Sequence, residues 1–156
     1  SLIGGTEGLK DNNYIDYYGA HLSDKEIFGK AYQTNFQIST EKAIEMIIDS
    51  QNTFIIDMRL GRLFSTKHVK DSLHFLYNTM PKEEYNQRIE KVLENKEKDV
   101  LFIVERYTEL FYANLLIMRL RENYNFGKEK FHILFHQFDA LEKDTRINFD
   151  SGYPEI

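Results

Sequence analysis

From residue 40 onward, short apolar runs alternate with segments whose apolar residues recur every three or four positions, and this alternation leaves few folds open. Asp99–Val104, DVLFIV, is the most strand-like run, followed by Thr53–Met58, TFIIDM, and Phe131–Phe135, FHILF, with a weaker one at Ser72–Leu76. The strongest of these are near-continuous in β-branched and aromatic residues, as expected of strands covered on both faces. Between them the spacing predicts helices over Thr40–Asp49, Pro81–Asn95, Leu110–Glu122 and about Phe138–Lys143. Ser39 is placed to cap the first, with Glu41 favourable in its opening turn and Ala43, Ile44, Ile47 and Ile48 as its apolar face. Pro81 suits the first position of the second helix, and Leu115, Leu116, Ile117, Met118 and Leu120 predict a buried third one. Strands alternating with helices predict an α/β fold, with a mostly parallel sheet, helices on both faces and right-handed crossovers.

A length of 156 residues corresponds to a single domain, 1–156, able to bury a real core. Its first 36 residues are rich in Gly, Asn, Asp and Tyr without a sustained period, and are expected to form an extended arm lying on the domain. Hydrophobic residues at 42% and charged residues at 29% exclude a disordered chain. The net charge of −5 argues against nucleic acid or an anionic membrane as partner. The longest apolar runs, LFIV and LLIM, fall far short of the roughly 18 residues of a membrane span, and the N-terminus lacks a secretory pattern, so a cytoplasmic or nuclear location is expected. The chain has no cysteine, which removes disulfides, thiolate metal sites and any cysteine nucleophile.

In open sheets of this kind, ligands sit at the carboxyl ends of strands, against the N-terminus of the next helix. Glu105–Tyr112, in VERYTELFYANLL, occupies that place. A phosphate cradle there needs Gly or Ser for close backbone approach, and this segment has no Gly and is crowded by Tyr107, Leu110, Phe111 and Tyr112. Other candidates have simpler roles. His132 and His136 would lie about 13 Å apart on a strand, too far to share a metal. His68 is expected to be a hydrogen-bonded turn residue, and Asp57 with Arg59 to form a structural ion pair or to hydrogen-bond loop backbone. Ser65, Ser72 and Thr108 lack the setting of a nucleophilic hydroxyl.

TFIIDMRLGRLFSTKHVKDSLHF, Thr53–Phe75, is similar without a gap to the signature of the rhodanese-like fold in its cell-cycle branch, the M-phase inducer phosphatases. In that branch the strand reads Ile-Ile-Asp-Cys-Arg, matched by Ile55, Ile56, Asp57 and Arg59, and a Gly-His-Ile-x-Gly-Ala turn follows, matched by His68 and Val69. LIGG at Leu2–Gly5 resembles the family's Leu-Ile-Gly-Asp opening, and FQISTEKAIEMI its Ile-Ser-x-Glu helix start. MRLREN at Met118–Asn123 resembles the helix after the catalytic loop, and FHILFHQFDAL the strand leading to a Gly-Gly turn. The resemblance implies a three-layer rhodanese-like fold with a central sheet of about five strands.

These phosphatases use a loop of Cys, five residues, then Arg, in which the thiolate attacks phosphorus while loop N–H groups and Arg hold the phosphoryl oxygens. Counting back from MRLRE puts Arg106 at the nucleophile position and Tyr112 at the arginine position; a shift of one puts Glu105 and Phe111 there. Neither register recovers the pair. Met58 replaces the second cysteine, and His136 and Gln137 the Gly-Gly turn. The degenerate loop is therefore Glu105, Arg106, Tyr107, Thr108, Glu109, Leu110, Phe111 and Tyr112, with Glu105 and Glu109 repelling phosphate and aromatic side chains filling the cradle. Arg106 is expected to pair with Glu105, Glu109 or solvent. No catalytic residue, cofactor or metal is expected. The implied function is that of a pseudophosphatase binding a protein, such as a cyclin-dependent kinase or another phosphoprotein in the cell cycle; the alternative is a hydrolase with an unconventional site.

Overall fold

The computed structural model describes residues 36–77 and 79–153, together with the backbone of two short strands, β1 (Asn13–Ile15) and β2 (His21–Ser23), that pair antiparallel. The rest of the expected arm, including LIGG, lies outside the described residues.

The expected elements appear in order, with small changes at their ends. Helix α1 (Thr40–Ile48) begins where the Ser39 hydroxyl accepts the Lys42 N–H at 3.2 Å. Its buried face is Ala43, Met46 and Ile47, and Ile48 is 45% exposed, so the apolar stripe is rotated from the expected one. Strand β3 (Thr53–Asp57) is followed by α2 (Gly61–Thr66), which sequence periodicity does not reveal because Phe64 is its only buried residue and no side chain caps it. Two-residue strands β4 (His68–Val69) and β5 (Leu73–His74) come next, the latter all that forms of the weak strand expected over Ser72–Leu76. Pro81 caps α3 (Lys82–Glu94) instead of occupying its first turn. Strand β6 (Asp99–Val104) and strand β7 (Phe131–Phe135) match their expected limits. Helix α4 (Tyr107–Tyr124) starts three residues earlier than its apolar pattern, and α5 (Phe138–Glu142) precedes β8 (Phe149–Asp150).

Strands β5-β3-β6-β7 form a four-stranded sheet, parallel throughout, and β4 pairs antiparallel with β8 outside it. Gln37 adds an isolated parallel bridge to Ile133 on the far side of β7. The pleat explains the continuous apolar strands. In β6, Val100, Phe102 and Val104 face a core built with α3 and α4, whereas Leu101 and Ile103 face a second core built with α1 and α5. Burying both faces of a five- or six-residue strand takes nearly all its side chains from water, at about 25 cal/mol per Å² of apolar area. Helices thus flank the sheet on both sides. No helix among the described residues is long and apolar enough to cross a membrane.

Candidate functional site

The β6–α4 junction lies at the carboxyl end of the sheet. Arg106 is the residue before the first turn of α4, with extended backbone, and its side chain cannot cap the helix because a guanidinium has no acceptor. Glu109 does the capping. Its Oε1 accepts the N–H groups of Glu105 at 2.7 Å and Arg106 at 3.1 Å, and its Oε2 accepts Arg106 Nε at 2.6 Å. The carboxylate is only 4% exposed. Two backbone donors and a guanidinium converging on one buried anion at a helix N-terminus is the arrangement that holds an oxyanion, and here the anion belongs to the chain itself.

This differs from the cradle expected from sequence. Tyr107 does not fill the loop: it is 65% exposed and rests on Phe135 at 5.0 Å. Phe111 and Leu110 point into the core under α4. Tyr112 is half-buried against Tyr77, ring centroids 5.9 Å apart, and desolvation raises its hydroxyl pKa. The crowding seen in the sequence comes from residues that helical geometry directs away from the loop. Arg106 pairs with Glu109, as one of the expected options, while Glu105 pairs with His136 at 2.9 Å. The other Glu105 oxygen is buried with no hydrogen-bond partner. Burial raises the Glu105 pKa, with His136 pulling it back down.

A cleft of about 330 Å³ adjoins the loop, walled by Met58, Phe75, Leu76, Tyr77 and Tyr112 and bordered by Arg106 and Thr108. The Thr108 hydroxyl is buried there without a hydrogen-bond partner. Glu109 is held in its own ring of donors, and no hydrogen bond joins it to the Thr108 hydroxyl.

Other residues singled out from sequence take structural roles. Asp57 and Arg59, 0% and 3% exposed, form a two-point ion pair with contacts of 2.9–3.1 Å, and Arg59 also donates to the Lys67 carbonyl at 2.7 Å. Its guanidinium lies 3.6 Å from the centre of the Phe138 ring. His68 bonds the Phe64 carbonyl through Nδ1 at 2.8 Å and stacks on Phe64, and His74 flanks the same ring while its Nε2 bonds the Arg59 carbonyl at 2.8 Å. Ser65 and Ser72 donate to carbonyls one turn back, those of Arg62 and Val69. His132 stands within β7 and His136 just past its end, and among the described residues no three potential ligands gather around a metal position. Reasoning from sequence missed the central role of Glu109, although Glu three residues after the N-cap position is a recognisable capping signal. No protein-family model, curated protein or solved structure matches the chain.

Proposed function

We propose that this is a rhodanese-like domain of the M-phase inducer phosphatase type that has lost catalysis and serves as a protein-binding module. The observation carrying the proposal is the Glu109 carboxylate bound to the loop N–H groups and Arg106, in a chain with no cysteine. An internal anion on these donors opposes a phosphoryl group by charge and by occupancy.

Backbone conformation is in keeping with the family reading. Asp71 aligns with the second glycine of the Gly-His-Ile-x-Gly-Ala turn and has φ 66°, and His136 stands at the Gly-Gly turn with φ 57°. Both adopt the left-handed conformation that glycine favours, which is what the family's two glycine turns would ask of these positions. The parallel sheet with helices on both faces, extended by the Gln37 bridge, is also in keeping with the three-layer, roughly five-stranded architecture.

The partner we favour is a cyclin-dependent kinase or another phosphoprotein. Exposed Arg106, which borders the cleft, and exposed Tyr107, next to it in the chain and resting on Phe135, fit a protein surface, arginine and tyrosine being frequent anchors of interfaces. Purified protein should not turn over an aryl phosphate above background, and it should capture a kinase or phosphoprotein from its source cells, with capture lost in Arg106→Glu and Tyr107→Ala. Turnover that disappears in Arg106→Ala and Glu105→Ala would establish the hydrolase alternative instead.

A further inference from the structure

A second, larger cleft of about 470 Å³ lies along the C-terminal half of α4, well within the size range of small-molecule sites. Asn114, Ile117, Met118 and Arg121 line it from one stripe of the helix, at the i, i+3, i+4, i+7 spacing that places residues on one face. Helix α4 ends at Asn125 in the left-handed conformation, φ 59°, which turns the chain so that Phe126 closes the cleft opposite this stripe. Phe36 contributes from the strand edge beside Ile133.

Three features of the cleft point to one kind of ligand. Asn114 is 3% exposed; its Nδ2 donates to the Leu110 carbonyl at 3.0 Å, but its Oδ1 is buried with no donor. Such an orphaned acceptor is unfavourable, and a ligand N–H or O–H would satisfy it. The wall is aromatic: Phe126 stacks on Phe131 at 5.7 Å, and Phe36 meets the same ring edge-on at 6.4 Å. Arg121 and Lys128 stand exposed at the rim, and neither meets a carboxylate among the described residues. Glu122, also on the rim, already has an interaction of its own, and the Glu129 carboxylate lies over Gly127 beside it, so Arg121 and Lys128 are the groups left to meet an anion.

We propose that this cleft binds a small aromatic carboxylate bearing a hydroxyl or N–H donor. The ring lies against Phe126 and Ile117, the donor meets Asn114 Oδ1, and the carboxylate meets Arg121 and Lys128. Asn114 and Arg121 are two helical turns apart, about 10 Å along the axis, and the flexible arginine takes up what the ligand leaves of that span. A hydroxyphenylacetate-sized acid fits this length. The site is separate from the Glu109 loop and does not depend on the function proposed for it.

The test is an NMR titration of the whole 156-residue chain with 4-hydroxyphenylacetate, its 4-methoxy analogue and 2-(4-hydroxyphenyl)ethanol. The acid should bind saturably with Kd of about 0.1–1 mM, shifting the Asn114 and Phe126 resonances. Removing the donor or the carboxylate should each weaken binding about tenfold. Asn114→Leu should abolish the advantage of hydroxy over methoxy, and Arg121→Glu, on the exposed rim where it does not threaten folding, the advantage of acid over alcohol. Absence of saturation by about 10 mM, unchanged affinity in both variants, or shifts mapping to Glu105–Tyr112 would each overturn the proposal.

Discussion

Replacing Glu109 with alanine removes the acceptor of two backbone N–H groups and one guanidinium bond at once. Hydrogen bonds to a charged group contribute about 1.5–3 kcal/mol each, and water entering the vacated space recovers part of the two lost from the backbone. Arg106 has a side chain 51% exposed, so screening limits its ion pair to at most about 1 kcal/mol. The expected net loss is about 2–4 kcal/mol, which for a chain of this size lowers Tm by about 5–15 °C. Glu109→Gln keeps a neutral acceptor near the N–H groups and should cost only about 1–1.5 kcal/mol. The alanine variant also leaves an anion-shaped vacancy. Formate at about 100 mM, bound with Kd near 10 mM, should restore about 1.4 kcal/mol in Glu109→Ala. Urea denaturation of wild type and both variants, in formate and in chloride of equal ionic strength, reads these differences. A loss below about 0.5 kcal/mol in Glu109→Ala, or equal stabilisation of wild type by formate, would refute the account of Glu109 as the loop's own anion.

Three further outcomes follow from the geometry. Arg59→Ala should lose about 3–5 kcal/mol in urea denaturation, because it removes the guanidinium from the buried Asp57 carboxylate and leaves only the backbone N–H of residue 59 on it; a loss below about 1 kcal/mol would show that the pair is dispensable. Burial lowers the His74 pKa below its ordinary value, against the pull of the Arg59 carbonyl and Asp57, so below about pH 6.5 the unfolded chain takes up the proton more readily and stability falls with pH. His74→Gln should flatten that fall between about pH 7 and 5, measured in a background of Glu105→Gln and His132→Gln because the raised Glu105 carboxyl contributes with opposite sign and the lowered His132 with the same sign; an unchanged slope would exclude His74 as its source. Arg106→Cys with Tyr112→Arg should remain inactive on an aryl phosphate while Glu109 holds the loop N–H groups, and turnover in that double variant would show that only two residues separate this loop from a working one.

The sheet and its helices were legible in the sequence because burial on both faces leaves an unmistakable record. DVLFIV and FHILF are continuous in apolar residues because each face of β6 and β7 meets a core, and the limits of both strands could be read directly. The Asp57–Arg59 pair and the absence of a cysteine nucleophile were equally plain, since they depend on residue identity at close spacing. Short elements were not legible. Helix α2 buries one side chain, and β4 and β8 pair two residues each across a long stretch of chain, so no local period marks them. The contents of the loop were decided by the direction of its side chains in space, of which only the Glu109 cap leaves a signal in the sequence. Eight residues in sequence show tyrosines, a phenylalanine and two glutamates near one another, but helix geometry turns Phe111 into the core and Tyr107 to solvent, and brings the Glu109 carboxylate back onto the strand end. Which side chain fills a cradle depends on direction in space, and direction is set by where the first helical turn begins.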